Sequence, residues 1–309
     1  MEHVQVLIAG GGIGGLSAAI WCRRLGLSCL LLESKDVLGG QLSQIHNEIP
    51  DFPPRVYPNG AALLEELLGH PAIRELRPRL GETILRIDAE THEVHTSHQV
   101  YRADYLIIAT GVSPNIIPAL ADCPRVLSPW FSTTSQAATV EGQDIAVIGG
   151  GDRALESASN LAAYARHMYL LVRSDHLRAR SEWVERVNRL PNLQIMWETE
   201  ASGYSMKDGR IRLDLRSEKK EAPKSITVDW VLPRIGVRGN SQAFASLPVF
   251  DEHYLKTDQT QRSVPEWIYA IGDVANGAAY SSISLAVGQA MKAVKHISLG
   301  LQHQHENID

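Results

Sequence analysis

Two glycine-rich turns, each placed between an apolar run and a helical stretch, constrain the fold of this chain more than any other feature. The first turn spans residues 10–15 after the apolar run Val4–Ala9, and the second spans residues 149–154 after Ile145–Ile148. Each turn is followed by a helical pattern and then by another apolar run, which is the order of a βαβ unit. The sequence therefore predicts an α/β chain with two Rossmann-like dinucleotide-binding domains.

The first turn has the spacing that a dinucleotide pyrophosphate requires. Gly10 permits the tight turn after the strand, Gly12 lets the backbone approach the pyrophosphate, and Gly15 lets helix and strand pack closely. The helix N-terminus adds free N–H groups and a positive dipole. Glu33 ends the next apolar run, 18 residues after Gly15, where its carboxylate can accept hydrogen bonds from ribose hydroxyls. We expect this turn to bind a dinucleotide.

The second turn, Gly149-x-Gly151-x-x-Ala154, ends in alanine, which the fingerprint allows. A cation, Arg173, stands where the first unit has its acid, and Arg178 follows. A guanidinium suits a 2′-phosphate, whereas a carboxylate repels it. The pattern favours an NADP-type nucleotide, and a solvated basic loop is the alternative interpretation.

Motifs along nearly the whole chain resemble, in the right order, the low-molecular-weight thioredoxin reductase family. They are the first glycine turn, Gly39–Leu42, Ala109–Gly111, the segment 149–156 and Gly272-Asp273. The resemblance implies a thioredoxin-reductase-like fold of three-layer ββα domains. It implies a split FAD-binding domain, residues 1–115 and 246–309, and an inserted NAD(P)H-binding-like domain, residues 116–245. It also implies a homodimer.

The resemblance assigns particular residues to the two nucleotides. The FAD contacts that it implies are Gly10, Gly12, Ile13, Gly14, Gly15, Glu33, Ser34, Gly40, Gln41, Leu42, Ala109, Thr110, Gly111, Gly272, Asp273, Ser282 and Ile283. The second nucleotide site that it implies contains Gly149, Gly151, Asp152, Arg153, Ala154, Glu156, Arg173 and Arg178. Gln41 would lie beside the flavin ring, and Asp273 would hold the ribityl or pyrophosphate region.

The sequence departs from the family where the family carries its redox-active Cys-x-x-Cys. Counted back from the second glycine turn, those positions fall on Ser132 and Ser135, and the three cysteines, Cys22, Cys29 and Cys123, form no such motif. A serine hydroxyl cannot form a disulfide, so dithiol exchange at this position is chemically excluded. No catalytic residue is therefore assigned.

Further departures concern the nucleotide contacts. The family's His-Arg-Arg…Arg phosphate clamp reads Val172-Arg173-Ser174…Arg178 here. Losing a charged hydrogen bond costs about 1.5–3 kcal/mol, so affinity for a 2′-phosphate should fall. NADPH, NADH and a second FAD all stay open as ligands of this site. The family's Arg-Gln pair after Gly-Asp becomes Ser281-Ser282, and Glu48 takes the place of a flavin-contacting asparagine.

Composition excludes several classes of protein. With 44% apolar and 21% charged residues the chain is an ordinary globular one, and a net charge of −5 argues against a general nucleic-acid partner. No apolar run reaches 18 residues, so no membrane span is expected. The absence of a basic leader, with three cysteines only, favours the cytoplasm. The histidines His296, His303 and His305 have no accompanying cluster of ligands, and no metal site is predicted.

Cysteine and aromatic positions carry weaker expectations. Cys22 and Cys29 should pack in the core, whereas Cys123, beside Pro124, is the thiol expected to be exposed. Trp130 and Tyr280 are candidates to flank a flavin, although such residues more often belong to a core or an interface.

The remaining secondary structure follows from short patterns. Three strands are predicted in the second half, Leu193–Thr199, Gly209–Leu215 and Ser225–Leu232, with the charged tip Ser217–Lys224 as a loop. A last helix is predicted over Ser284–Leu299, with a frayed tail from residue 302 onward.

These inferences predict an FAD-dependent oxidoreductase without a redox-active dithiol. It would pass electrons between a donor, NAD(P)H or another, and an acceptor that docks directly on the flavin. The acceptor would be a small redox protein or a small molecule. The first alternative is a ferredoxin- or flavodoxin-linked reductase of the same fold. The alternative of another class is a non-catalytic dinucleotide-binding redox sensor, with a second FAD in the NAD(P)H-like site.

Overall fold

The computed structural model describes residues 1–217, 223–251 and 253–306. These residues form two compact units, one of residues 1–113 together with the chain from Val237 onward, and one of Pro114–Gly236. The returning segment joins the first unit at Val237 and not at the expected residue 246, and Phe244 is already buried in the core of that unit.

Strands and helices alternate along the chain. The first part contains β1 (Glu2–Ala9), α1 (Ile13–Arg24), β2 (Cys29–Leu32), α2 (Gly60–Gly69), α3 (Pro71–Arg74), β3 (Ile84–Asp88), β4 (Glu93–Thr96), β5 (Val100–Ile108) and β6 (Val112–Pro114). The inserted part contains β7 (Asp144–Ile148), α4 (Asp152–Leu161), β8 (His167–Val172), α5 (Ser181–Asn188), β9 (Leu193–Trp197), β10 (Thr199–Lys207), β11 (Arg210–Ser217), β12 (Ser225–Val228) and β13 (Trp230–Pro233). The returning part contains β14 (Val237–Gly239), β15 (Val249–Phe250), β16 (Tyr254–Leu255), β17 (Ile268–Ala270), α6 (Asp273–Asn276) and α7 (Ile283–Glu306).

The first unit is built on a sheet with the strand order β2-β1-β5-β4-β3, to which β17 adds beside β5. β1, β2, β5 and β17 are parallel, whereas β3 and β4 are antiparallel. Side chains alternate between the two faces. Leu16 of α1 and Val294 of α7 pack against one face, and Phe244 and Leu255 pack in the core on the other. The carboxyl ends of the parallel strands carry the first glycine turn.

The second unit repeats the arrangement on a smaller scale. Its parallel sheet has the order β13-β7-β8-β9, and a separate antiparallel sheet has the order β10-β11-β12. Leu155 of α4 and Val187 of α5 are buried with Val147 of β7 on one face of the parallel sheet. The second glycine turn connects β7 to α4, at the same relative place as the first turn.

Three sequence expectations need correction. The strand predicted over Leu193–Thr199 is two strands, because Glu198 adopts a left-handed backbone with φ of 52°, and the strand β10 after it was missed. Ser225–Leu232 is likewise divided between β12 and β13, which belong to different sheets. The last helix continues past Gly300, because Leu301 packs against the core of the first unit. Residues 218–222 of the charged tip and residues 307–309 of the tail lie outside the described residues.

Two general features bear on the site. None of the helices in the described part of the chain combines the length and the apolar composition that a bilayer crossing requires. Within residues 1–217, 223–251 and 253–306, no group of three or more His, Cys, Asp and Glu side chains could hold a metal ion.

Candidate functional site

The three glycines of the first turn meet three different steric requirements. Gly10 has φ of 108°, and a Cβ there would lie 2.5 Å from the Ala109 carbonyl oxygen. A Cβ at Gly15 would lie 1.9 Å from the Gly10 carbonyl oxygen, so α1 packs directly against the turn. A Cβ at Gly12 would meet nothing closer than the Gly40 Cα, at 3.9 Å. Space is therefore open at Gly12 alone.

That open space lies at the N-terminus of α1. Gly12 is the N-cap residue, no side chain caps the helix, and its first turn holds no acidic residue. The first N–H groups of a helix have no partner within the helix and carry partial positive charge. The turn is thus a ready cradle for the diphosphate of a dinucleotide.

Glu33 lies beside this cradle. Its Oε2 accepts a 2.7 Å hydrogen bond from the Gly11 N–H, and its Oε1 accepts a 2.9 Å bond from the Lys35 N–H. Ser34 donates its hydroxyl to the same Oε1 at 3.2 Å. A carboxylate fixed at the end of β2 fits the ribose hydroxyls of an adenine dinucleotide.

The remaining predicted FAD residues come from distant segments. Gln41, in the 3₁₀ helix Gly40–Gln44, donates its Nε2 to the Asp273 carboxylate at 3.0 Å. Burial raises the pKa of Asp273 above its ordinary value. The nearby Ser281 hydroxyl and Ser282 N–H act to lower the pKa of Asp273.

The carboxyl end of β5 lies next to the same group. A Cβ at Gly111 would lie 3.6 Å from the Gln41 Nε2. The Thr110 hydroxyl donates a 2.8 Å hydrogen bond to the Asn240 carbonyl. The Asn240 Nδ2 donates a 2.8 Å hydrogen bond to the Thr110 carbonyl in turn. Three predicted apolar contacts pack together in one cluster: Ile13, Leu42 and Ile283. Gly14 faces Ile271 instead, since a Cβ there would lie 3.6 Å from its Cδ1.

These residues fit FAD chemically. An uncapped helix N-terminus suits the diphosphate, a fixed carboxylate suits the ribose, and an open glycine leaves the approach clear. The donors and acceptors around Asp273 suit the polar ribityl chain. The structure thus brings the predicted residues of the first unit into one region, and which of them touch FAD remains a proposal.

The second turn repeats the open N-cap. Gly151 caps α4 without a side-chain hydrogen bond, and a Cβ there would meet nothing closer than 4.0 Å, the Arg178 carbonyl oxygen. The Arg178 N–H donates a 2.8 Å hydrogen bond to the Gly150 carbonyl. Arg178 therefore lies at the edge of the turn, as its predicted role requires.

Charge at the second turn is partly compensated within the chain. Asp152, the first residue of α4, accepts from the Arg180 N–H at 2.8 Å and from its Nε at 2.9 Å. Arg173 and Arg178 are exposed. Because Arg180 neutralises Asp152, two exposed guanidinium groups stay available for an anionic ligand.

A half-buried arginine that sequence reasoning missed lies next to this turn. Arg234 donates to the carbonyls of Pro129 and Phe131 at 2.6 Å each and to the Ser157 hydroxyl at 2.9 Å. Burial and the nearby Arg153 guanidinium lower the pKa of Arg234 to about 10, and Glu156 opposes that shift. The only sequence signal was a charged residue directly after the apolar strand β13.

Arg234 fixes the segment that carries the two predicted serines. Ser132 is 7% exposed, and its Oγ accepts a 3.2 Å hydrogen bond from the Ser135 N–H. The Ser132 N–H donates to the Gln136 Oε1 at 3.0 Å. The Ser132 hydroxyl therefore closes a polar turn, in the way that a helix cap does.

The remaining candidates, Cys123, Trp130 and Tyr280, differ in burial and in contacts. Cys123 is 6% exposed, so the expectation of an exposed thiol is wrong; it packs with Leu120 and Ile148 in an apolar cluster. Trp130 lies under the Arg153 guanidinium, 5.5 Å from its carbon to the ring centre. Tyr280 is 71% exposed.

The chain is similar to known proteins along most of its length. The family model described as pyridine nucleotide-disulphide oxidoreductase matches residues 4–296. A ferredoxin–NADP reductase of Lactococcus lactis subsp. cremoris (strain SK11) is 28% identical over 319 residues, covering 99% of this chain and 97% of its own. A protein of Clostridium pasteurianum, named as a 34.2 kDa protein in a rubredoxin operon, is 25% identical over 279 residues, covering 88% and 89%.

One solved structure confirms the predicted fold class. The crystal structure of Lactococcus lactis thioredoxin reductase (FR conformation) has a TM-score of 0.77 to this chain. The superposition covers 95% of this chain and 97% of the thioredoxin reductase chain, at 23% sequence identity. The thioredoxin-reductase-like α/β fold is therefore shared.

Proposed function

The chain belongs to the pyridine nucleotide-disulphide oxidoreductase family, and we propose that it is a flavin-dependent reductase that works without a protein dithiol. Electrons pass between a reduced pyridine nucleotide and a small electron-transfer protein that docks directly on the flavin. The match to this family confirms two predictions from the sequence, the family resemblance and the assignment as an oxidoreductase. The nucleotide, the acceptor and the site residues are proposals.

The observation that carries the proposal is the hydrogen bond from the Ser135 N–H to the Ser132 Oγ. The family resemblance places two cysteines at the positions of Ser132 and Ser135, and here both serines take part in a closed polar turn. Arg234 holds this turn by donating a hydrogen bond to the Phe131 carbonyl. A hydroxyl in this role is a structural acceptor, and it has no redox chemistry. Electrons that leave the flavin must therefore reach the acceptor directly.

FAD, when bound, supplies the electron-carrying chemistry that no side chain here provides. The protein's own contribution is to hold and orient it. The N–H groups that follow Gly12 would hold the diphosphate, Glu33 would accept hydrogen bonds from the ribose, and Gln41 and Asp273 would hold the polar ribityl chain.

The second unit is proposed to bind the pyridine nucleotide. Its open N-cap at Gly151 accepts the diphosphate, while Arg173 and Arg178 supply positive charge for a 2′-phosphate. With fewer cations than the family clamp, a modest preference for NADPH over NADH is expected. We expect a homodimer in the cytoplasm.

The class of acceptor is supported by what the relatives are named for. The Lactococcus relative is a ferredoxin–NADP reductase, and the Clostridium relative belongs to a rubredoxin operon. Both names point to small iron–sulfur or iron proteins that carry electrons. For this chain a carrier of that class is the proposed partner, which places a ferredoxin-linked reductase within the proposal.

The test is an anaerobic titration of the purified protein with NADPH and NADH, after counting flavins per chain. Reduction of a ferredoxin, a rubredoxin and thioredoxin is then compared. We expect flavin bleaching, carrier reduction and no thioredoxin reduction. The Ser132→Ala/Ser135→Ala variant should reduce the carrier within twofold of the wild-type rate, because neither hydroxyl takes part.

Two results would overturn this proposal in different ways. Thioredoxin reduction by the wild type would require a dithiol that the proposal denies. An unbleached flavin with every donor, together with two flavins per chain, would favour the redox sensor with a second FAD.

A further inference from the structure

The side chain of Gln289 connects helix α7 to the turn that begins α6. Gln289 is 9% exposed, and its neighbours on the same helix, Ala286, Ala290 and Ala293, are buried apolar residues. A carboxamide costs free energy when it is buried, unless it is hydrogen-bonded. The partners of Gln289 therefore indicate what this polar side chain does inside an apolar part of the unit.

The first partner of Gln289 is the backbone of Gly272. The Gly272 N–H donates a 2.8 Å hydrogen bond to the Gln289 Oε1. Gly272 has φ of 70° and ψ of −157°, a backbone region that is open almost only to glycine. Its carbonyl accepts hydrogen bonds from the N–H groups of Ala275 and Asn276, at 2.9 and 3.1 Å. The start of α6 thus satisfies the carbonyl of this turn, and Gln289 satisfies its N–H.

The second partner shows which end of the chain of bonds determines its direction. The Gln289 Nε2 donates a 2.6 Å hydrogen bond to the Asn276 Oδ1, and the Asn276 Nδ2 is buried with no hydrogen-bond partner among the described residues. Turning both amides over would give that nitrogen an acceptor, but it would set the Gln289 Nε2 against the Gly272 N–H, two donors facing each other. The need of the Gly272 N–H for an acceptor therefore fixes both side chains.

We propose that Gln289 is a positioning residue for FAD, an inference that rests on the proposed function of the first unit. Asp273 directly follows Gly272, and its carboxylate accepts a 3.0 Å hydrogen bond from Gln41. Because the Gly272 N–H is tied to α7, the direction in which the chain enters α6 is fixed, and the position of the Asp273 carboxylate is fixed with it. A site that is ordered before its ligand arrives loses less conformational freedom on binding, which raises affinity.

The experiment compares two variants of the full chain, freed of flavin and titrated with FAD by fluorescence. Gln289→Met keeps the length of the side chain and removes the carboxamide acceptor, so FAD should bind about tenfold more weakly. Gln289→Glu keeps an acceptor for the Gly272 N–H, and its other oxygen pairs with Asn276 in either protonation state, so affinity should stay within about threefold of wild type. Gln302→Met, at an exposed position of the same helix, is the matched control and should bind FAD as the wild type does.

Amide hydrogen exchange of the flavin-free chains gives a readout that needs no cofactor. The peptide of residues 268–276 should exchange faster in Gln289→Met than in the wild type, and at the wild-type rate in Gln289→Glu and Gln302→Met. Peptides of the second unit should exchange equally in the wild type and in every variant, which shows that the variants fold.

The outcomes separate this role from the proposed function. A wild-type chain that binds no FAD would refute the proposed function itself. A wild type that binds FAD, with equal affinity in Gln289→Met, would overturn the positioning role alone. A loss of about tenfold in Gln289→Glu would overturn it as well, because that variant keeps the acceptor. If Gln289→Met does not fold, the affinity of Gln289→Glu decides between the two results.

Discussion

The Gln41 side-chain amide donates a 3.0 Å hydrogen bond to the Asp273 carboxylate, and the two residues lie 232 positions apart in the sequence. This bond joins the 3₁₀ helix after β2 to the start of α6. Because both residues were singled out as flavin neighbours, their contact ties the candidate FAD site to one specific interaction.

Replacing Gln41 by leucine should weaken FAD binding about tenfold. A hydrogen bond to a charged group contributes about 1.5–3 kcal/mol, and its loss leaves the half-buried Asp273 carboxylate short of a donor. The measurement is a fluorescence titration of the flavin-free chain with FAD. Gln44→Leu is the matched control in the same 3₁₀ helix, since the Gln44 amide donates to the neighbouring Ser43 hydroxyl. Equal affinity in the Gln41 variant and the wild type would remove this contact from the site.

The half-buried Asp273 carboxyl should make the flavin-free protein less stable as the pH rises. Burial raises its native pKa above 3.8, so the native state holds this proton over a range where the unfolded state has lost it. Stability then falls from about pH 4 up to the raised native pKa and levels off above it. Urea unfolding across this range should show the fall in the wild type and a flatter profile in Asp273→Asn. The same slope in both would contradict the assignment.

Asp144 should show the opposite dependence. Hydrogen bonds from the Arg166 Nε and Nη2, at 2.8 and 2.7 Å, together with Arg210, hold the pKa of Asp144 below 3.8. The stability that this carboxylate contributes is present above its ordinary pKa and is lost as the pH falls through the native one.

Asp144→Asn should therefore cost about 1–2 kcal/mol at pH 7, since charged hydrogen bonds are worth about 1.5–3 kcal/mol and solvent screens Arg166. The difference from wild type should shrink in acid below pH 4. Chemical unfolding of the two chains measures it, and the exposed Asp122→Asn, in the same unit, serves as control. A cost that stays constant with pH would mean that packing, not charge, is lost.

Alanine at the turn glycines should separate folding from binding. Gly12→Ala should fold normally and lose flavin, because its Cβ enters the open cradle. Gly15→Ala should cost about 3 kcal/mol of stability, because its Cβ would overlap the Gly10 carbonyl oxygen. Gly151→Ala should keep FAD and lose the pyridine nucleotide. Flavin content, thermal unfolding and nucleotide titration of the three variants give the result, and a Gly12→Ala chain that retains flavin would contradict it.

Sequence reasoning succeeded where local sterics determine the structure. Gly10, Gly15 and the apolar runs beside them specify a turn between strand and helix with no help from distant residues. The same reasoning placed Glu33 at the end of its strand, where the structure finds it beside the Gly11 N–H.

It failed where a side chain finds its partner far along the chain. Arg234 contacts Pro129 and Phe131, and Thr110 pairs with Asn240. No local pattern reports such contacts. Cys123 was misjudged for a related reason, because its burial depends on an apolar cluster gathered from several strands.

The clamp that Arg234 places on the serine segment has a kinetic consequence. A dithiol would hold two electrons in addition to those on the proposed flavin, whereas a closed turn of serines adds none. Turnover of this protein should therefore scale with the concentration of the external carrier, and it should fall with added salt if that carrier is acidic. Under the proposed function, electron flow would be controlled by the abundance of the partner and not by the redox state of the segment that contains Ser132 and Ser135.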